Sequence, residues 1–361
     1  MGDGDQGGYR AVSLLSLPLT ETLHRHARQN RRRWRLVLLL GLGALLALIA
    51  DLTSGPSGLP LRDTFAALMR QEGVARGTMV IVWQVRLPVA VMALLVGAAL
   101  SLAGAEMQTV LENPLAEPFT LGVSAAAALG AGLAIVLGLS LPFLPGVWSV
   151  SANAFLFAMA ALALLQLVSI RRGGGAEVII LLGIALNFTA GALLALVQFV
   201  ASADALQQLV FWTMGSLANV RWQGVAVMAL VLAACLPFSL RAAWALTALR
   251  LGAEQARGFG VDVAGLRRWA LLRVSLLAAA AVSMVGVVGF IGLAGPHIAR
   301  MAVGEDHRFL LPASVLTGAL LMSVASVLSK LVVPGILLPV GLVTSLIGLP
   351  VFFALILRRG V

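Results

Sequence analysis

Residues that could carry out covalent chemistry are few and far apart in this sequence. His297 and His307 are separated by ten positions, and no cysteine or carboxylate cluster joins them. The pattern G-x-x-x-x-G-K-[ST], whose backbone amides hold nucleotide phosphates, does not occur, so the chain is not expected to hydrolyse ATP. An intramembrane enzyme would need paired ionisable groups, and Glu106 is the only acid that we place inside a membrane span. We therefore predict a protein that is not an enzyme.

The sequence also has few residues that could bind a metal or a cofactor. The chain has four histidines and one cysteine, Cys235, which lies in an apolar run and has no second cysteine with which to pair. These residues do not make a ligand set for a structural metal or a haem. We expect no metal site and no cofactor.

The composition is that of a chain surrounded by lipid. Hydrophobic residues occupy 60% of the 361 positions and charged residues only 11%, whereas a soluble domain has about 25% charged residues. The mean hydropathy is +1.00. Since charge is costly in hydrocarbon, most of the chain must face lipid or other apolar helices. The fold class is therefore predicted to be an all-α, polytopic membrane protein.

Nine stretches are long and apolar enough to span a bilayer, and a shorter one at 296–303 is a tenth candidate. The nine are 36–52, 87–107, 120–141, 150–170, 178–200, 223–239, 270–294, 311–333 and 338–357. Ten crossings place 19 of the 25 basic residues on one side, which the positive-inside rule identifies as the cytoplasm. The net charge of +10 follows from this asymmetry and does not indicate a nucleic-acid partner.

These spans predict two parts of the chain. Residues 1–35 form a cytoplasmic tail, and residues 36–361 form a domain of ten transmembrane helices with both termini in the cytoplasm. A shift of 182 residues also places Ser101, Gly104 and Pro114 on Ser283, Gly286 and Pro296. Five crossings separate the two units, so the match is either an inverted repeat typical of transporters or a coincidence of composition.

Motifs rich in proline, glycine and polar residues interrupt the apolar stretches. They are WQVRLP at 83–88, NPLAEP at 113–118, WTMG at 212–215, GFIGL at 289–293, PHIAR at 296–300, DHR at 306–308, PVG at 339–341 and GLP at 348–350. In order and spacing these motifs resemble those of the FecCD/BtuC-type permeases, the membrane subunits of ABC importers for iron-siderophores, haem and vitamin B12. The resemblance runs from about Trp83 to the C-terminus. It implies the type II ABC importer permease fold, with ten helices including a short eighth.

The resemblance also implies partners and a location. We expect a second permease subunit, either identical or related, and two cytoplasmic ABC ATPase subunits. A periplasmic or lipid-anchored substrate-binding protein would deliver the ligand to a multi-pass protein of the cytoplasmic (inner) membrane.

A loop at about 241–269 resembles the segment through which such permeases touch their ATPases. In it, Gly260 would allow the backbone to turn, while Glu254, Ala256 and Arg257 complete the contact. The alternative is a solvated amphipathic loop.

The remaining motif residues are assigned mainly structural roles. Asn113 and Pro114 would break and cap a helix, and we expect His297 and Arg300 to pack or cap, with ligand binding as the alternative. The other residues of this structural set are Gly292, Pro296, Pro339 and Gly341. Candidates for lining the pathway lie on the fifth span: Asn187, Thr189 and Gln198.

The sequence departs from the family pattern at its predicted outer face. Val89 stands where a second arginine is usual, Ser326 and Lys330 stand where an acid and an arginine are usual, and Leu337 replaces an acid. In the family, outer arginines dock acids of the binding protein. The resemblance therefore predicts docking through Arg86 and Lys330, weakened by the loss at Val89.

The function predicted is that of the membrane-spanning permease of an iron(III)-siderophore importer. A haem or cobalamin permease is the alternative within the family. A secondary transporter working without ATP is more distant, because it would need intramembrane acids and no ATPase contact. A structural scaffold would not explain so many broken helices.

Overall fold

The computed structural model describes residues 19–55, 58–139, 146–171, 176–333 and 335–358, and all regular structure in these ranges is helical. Residues 1–18 of the predicted tail lie outside the described residues. The α-helices are α1 (Leu19–Thr53), α2 (Leu61–Leu68), α3 (Arg76–Val80), α4 (Leu87–Val110), α5 (Val123–Leu137), α6 (Ser149–Arg171), α7 (Ala176–Phe199), α8 (Ala203–Thr213), α9 (Trp222–Arg241), α10 (Ala243–Leu249), α11 (Ala253–Gly258), α12 (Val263–Val285), α13 (Ile291–Val303), α14 (His307–Leu331) and α15 (Val340–Arg358).

Length and composition assign seven membrane-spanning helices among the described residues. They are α1, α6, α7, α9, α12, α14 and the continuous helix Arg76–Val110, in which the helical segment Ile81–Arg86 joins α3 to α4. Helix α5 and the part of α15 at Val340–Pro350 are apolar but shorter by the same measure. The multi-pass, all-helical class is thus confirmed, while the count of ten crossings stays a prediction.

Two predicted boundaries were wrong around the short eighth helix. The span expected at 270–294 ends at Val285, and α13 starts at Ile291, five residues before Pro296. Gly286 has φ +74° and Phe290 has φ +67°, so the backbone turns twice between the helices. The apolar run continues through these turns, which is why hydropathy alone did not reveal them.

Helix α4 lies at the centre of the fold and packs against α12, α13 and α14. Its contacts with α13 and α14 are made backbone to backbone. A β-carbon on Gly104 would collide with the carbonyl of Gly292, and one on Gly97 would collide with the carbonyl of Gly318. Small residues at these crossings let the helices approach closely, as in other membrane bundles.

Replacing Gly104 by alanine should destabilise the bundle. The added methyl group meets backbone, which cannot move aside like a flexible side chain, and overpacking of this kind costs about 1–3 kcal/mol. Gly191→Ala on α7 is the matched control, because nothing lies within 4 Å of its added β-carbon. Thermal unfolding of the purified protein in detergent measures both variants. Equal midpoints for the two variants would contradict the close crossing of α4 and α13.

Candidate coupling site

The segment expected to contact an ATPase is a single helical turn held between two glycine bends. Helix α11 lies between Gly252, with φ +113°, and Gly260, with φ +82°. Ala256 is fully buried beneath the turn, whereas Glu254 and Arg257 are exposed. The segment therefore presents one acid and one base on a short rigid element.

Gly260 is required for its backbone conformation and not for lack of space. Nothing lies within 4 Å of a β-carbon built on it, but its positive φ is strained for any other residue type. Asp262 then caps the following helix, since its Oδ1 accepts a hydrogen bond from the Gly265 amide at 2.9 Å. The bend is thus fixed on both sides.

A chain of polar contacts leads from this segment into the bundle. Arg250, just before α11, lies 2.8 Å from Glu305 in the turn between α13 and α14. The other Glu305 oxygen lies 3.1 Å from Nε of Arg300. Arg300 also donates to Gln108 Oε1 at 3.1 Å, and Gln108 Nε2 donates to the Gly292 carbonyl at 3.4 Å. We call residues 250–260, which comprise Arg250 and α11 with its two glycine bends, the coupling segment. A displacement of this segment would therefore reach α13 at both of its ends.

His307, at the start of α14, connects three helices inside the bundle. Its ring nitrogens lie 2.8 Å from Thr109 Oγ1 and 3.2 Å from Thr247 Oγ1, and its side chain is fully buried. It joins α4, α10 and α14, and both nitrogens are occupied by hydroxyl groups. This histidine therefore has a structural role.

Three further ion pairs lie around the site. Arg267 lies 2.7 Å from Glu112. This ion pair joins α12 to the turn after α4. Asp306 lies 2.7 Å from Arg308 and 3.8 Å from Arg33 of α1. The Arg308 hydrogen bond holds the pKa of Asp306 below its usual range. The turn between α13 and α14 thus contacts α1 as well as the coupling segment.

One buried ion pair lies deeper in the bundle. Arg273 of α12 contacts both carboxylate oxygens of Glu106 on α4, at 3.1, 3.0 and 2.6 Å. Glu106 is fully buried. Removing either partner of such a pair leaves an uncompensated charge. Glu106 therefore holds α4 and α12 together through this ion pair.

Arg86 and Lys330, which the sequence predicted to dock acids of the binding protein, are not exposed charges in the structure. Arg86 is 4% exposed and donates to the carbonyls of Leu52 at 3.2 Å and Thr53 at 3.1 Å. Lys330 is 9% exposed and lies 2.6 Å from Asp51 of α1. Both cations take internal partners because a desolvated charge needs one. Neither is available to a carboxylate of another protein.

Asp51 was missed as a second acid within a membrane-spanning helix. It is fully buried and accepts from Ser326 Oγ at 2.8 Å as well as from Lys330. At Ser326, where the resemblance implied an acid, Asp51 of α1 supplies the carboxylate instead. The sequence signal that could have revealed this pair is Lys330, a cation on α14 with no acid near it in the sequence.

The Asp51–Lys330 pair should show strong coupling in a double-mutant cycle. Asp51→Asn and Lys330→Gln should each cost about 3–5 kcal/mol, because each leaves the other charge buried alone. The double variant should lose less than the sum of the single variants. Unfolding midpoints in detergent test this, with Ser54→Ala as a nearby control. Additive losses would mean that the two groups do not interact.

The predicted pathway residues lie on one exposed helix. Asn187 and Thr189 of α7 are exposed and Gln198 is half-buried. Thr189 Oγ1 donates to the Ala185 carbonyl within its own helix, at 2.8 Å. The lining role of these three residues stays a prediction.

The residues of the NPLAEP motif form a turn at the end of α4. Asn113 Oδ1 accepts from the Leu115 amide at 2.9 Å, and Pro114 lies inside that turn, in keeping with the expected helix break. Glu117 is 8% exposed. Burial raises its pKa to about 7, although a backbone hydrogen bond with Phe290 acts in the opposite direction.

The other motif residues pack where backbones meet. The Gly341 amide donates to the Gly215 carbonyl at 3.3 Å, and a β-carbon on Gly341 would collide with the carbonyl of Met214. Pro339 immediately precedes α15, Pro296 is buried inside α13, and His297 is half-buried on the same helix. Among the described residues, no group of three or more His, Cys, Asp or Glu side chains could hold a metal ion.

Fold and site together define a class: a multi-pass helical membrane protein with a short polar segment between two glycine bends. The family model for the FecCD transport family matches residues 41–358. The chain therefore belongs to the FecCD transport family.

Named relatives agree with this class. The chain is 38% identical over 323 residues to the hemin transport system permease protein HmuU of Yersinia pestis, covering 89% of this chain and 96% of that protein. It is 37% identical over 330 residues to the vitamin B12 import system permease protein BtuC of Salmonella newport, covering 91% and 97%. A solved metal-chelate type ABC transporter in an inward-facing conformation superposes with a TM-score of 0.79 at 30% identity, covering 90% of this chain and 99% of that one.

Proposed function

We propose that this chain is the membrane-spanning permease of an ABC importer that carries an iron(III)-siderophore chelate across the cytoplasmic membrane. The observation that carries the importer role is α11, which presents Glu254 and Arg257 between two glycine bends. Arg250, just before α11, forms an ion pair with Glu305 in the turn between α13 and α14. Such a segment can sit in a cleft of an ATPase and move as a rigid body.

Haem or cobalamin is the alternative cargo. HmuU and BtuC are named for hemin and vitamin B12, and the solved neighbour is described as a metal-chelate transporter. The common feature is a large metallo-ligand. Binding inside the pathway must be weak enough for release, which fits a lining of few polar groups such as Asn187, Thr189 and Gln198.

The proposed assembly contains two permease subunits, identical or related, and two ATPase subunits. Helix α7 is apolar and mostly uncovered within the chain, which suits a helix that meets a second permease or lipid. A periplasmic or lipid-anchored binding protein would dock on the outer face, opposite the face that carries the coupling segment. Exposed arginines available for its acids are Arg62, Arg76 and Arg221, in place of the buried Arg86 and Lys330.

A secondary transporter is less well supported. Such a protein would need an ionisable group free to bind and release a proton or ion within the bundle. Glu106 and Asp51 are the acids found within spans of the described residues, and each forms an ion pair with a cation.

The coupling proposal predicts loss of transport without loss of fold. Glu254→Arg reverses the exposed charge, and Gly260→Trp places a bulky residue where φ is positive, so each should abolish ATP-dependent uptake in cells. Gly258→Ala is the matched control, since Gly258 lies in open space and has no positive φ. Membrane abundance is measured by immunoblot. Wild-type uptake by either variant at normal abundance would refute the assignment.

We also propose ten crossings with both ends in the cytoplasm, completed by α5, α13 and α15. In a Cys235→Ser background, single cysteines at Gln29 and Ala302 should resist an impermeant thiol reagent in intact cells. A cysteine at Gln71 should react. All three positions are exposed, so accessibility within the fold does not bias the result. Labelling at Ala302 from outside would eliminate the crossing by α13.

A further inference from the structure

The exposed face of α1 carries a cluster of arginines directly beyond its apolar part. We define the arginine face as Arg28, Arg31, Arg32 and Arg35, all of which are exposed. The cluster spans about 10 Å along the helix at 1.5 Å per residue. That length is on the scale of a lipid headgroup layer.

The arginine face continues the lipid-facing stripe of the same helix. Arg35 is followed at helical spacing by leucines and an isoleucine that are 37–70% exposed: Leu38, Leu39, Leu42, Leu45, Leu46 and Ile49. Residues three and four apart lie on one face of a helix. The arginines therefore lie above lipid and not above the inner helices of the bundle.

The opposite side of α1 is already occupied. Val37 and Ala44 are buried, and α1 packs against α14. Arg33 points to this side, where it lies 3.8 Å from Asp306 and 5.3 Å from the Phe309 ring centre. One arginine of the run is thus used within the protein, and the other four face outward.

Trp34 fixes the depth of the boundary. It is 50% exposed, and its ring meets Phe309 edge to face at 5.4 Å. Tryptophan prefers the region between hydrocarbon and headgroups. Its position between Arg31 and Leu38 places the arginine face at the headgroup level.

We propose that the arginine face binds the headgroups of anionic phospholipids. A cluster of basic residues immediately beyond a membrane helix attracts the phosphates of an anionic leaflet, and guanidinium groups bind phosphate oxygens well. The site takes lipid and not free phosphate, because the acyl chains lie on the adjoining leucine stripe.

The test measures lipid preference of the full-length chain by native mass spectrometry. Protein in detergent is mixed with equimolar phosphatidylglycerol and phosphatidylcholine, and the retained lipids are counted. Each arginine should contribute about a fivefold preference for the anionic lipid. The variant R28Q/R31Q/R32Q/R35Q should lose the preference. The variant R28K/R31K/R32K/R35K should keep most of it, because lysine retains the charge.

Controls separate this site from charge in general. The variant R62Q/R76Q/R221Q removes exposed arginines elsewhere and should bind phosphatidylglycerol like the wild type. For the wild type, the preference should fall when salt is raised from about 0.05 M to about 0.5 M, which tests the proposal even if the glutamine variant folds poorly. Millimolar inorganic phosphate should not displace the lipid.

Three results would overturn the proposal. The first is an unchanged lipid preference in a folded glutamine variant. The second is displacement of the lipid by inorganic phosphate, which would indicate a site for the free anion. The third is loss of co-purified ATPase from the glutamine variant while its lipid preference persists, which would assign the arginine face to a protein partner.

Discussion

The cost of leaving a charge without a partner in hydrocarbon governs the arrangement of this chain. Glu106 and Arg273 join α4 to α12 in the interior, and Asp51 and Lys330 join α1 to α14. Each pair fixes two helices that are distant in sequence. The glycine crossings of α4 then determine how closely its neighbours pack, and the remaining helices surround this core.

The charges outside the core form the contacts suited to transmitting movement. Glu305 lies between Arg250 beside the coupling segment and Arg300 of α13, while Asp306 contacts α1 and α14. A short helix held at both ends by polar contacts can shift as a unit when one end is pushed. The same residues therefore stabilise this packing, and they offer the route by which the proposed ATPase contact would reach α13.

Sequence alone predicted the helical class, which composition determines, and the backbone turn at Gly260, whose φ is +82°. The contact of the coupling segment with an ATPase was implied by the family resemblance and stays a prediction. The sequence did not predict the partners of Arg86 and Lys330. Lys330 meets an acid 279 positions away, and nothing in the local pattern around Asp51 indicates that contact. The start of α13 was also missed, because Gly286 and Phe290 bend the backbone within an unbroken apolar run. Long-range pairing and backbone turns are properties of the packed bundle.

The most direct measurement is transport by proteoliposomes that contain this chain together with the ATPase and the binding protein proposed as its partners. Ferric siderophore, haem and cobalamin are supplied in parallel, with ATP or a non-hydrolysable analogue inside. ATP-driven import predicts accumulation of one metallo-ligand only with hydrolysable ATP and binding protein, with the ferric siderophore as the expected cargo. Accumulation driven by an ion gradient without ATP would contradict it.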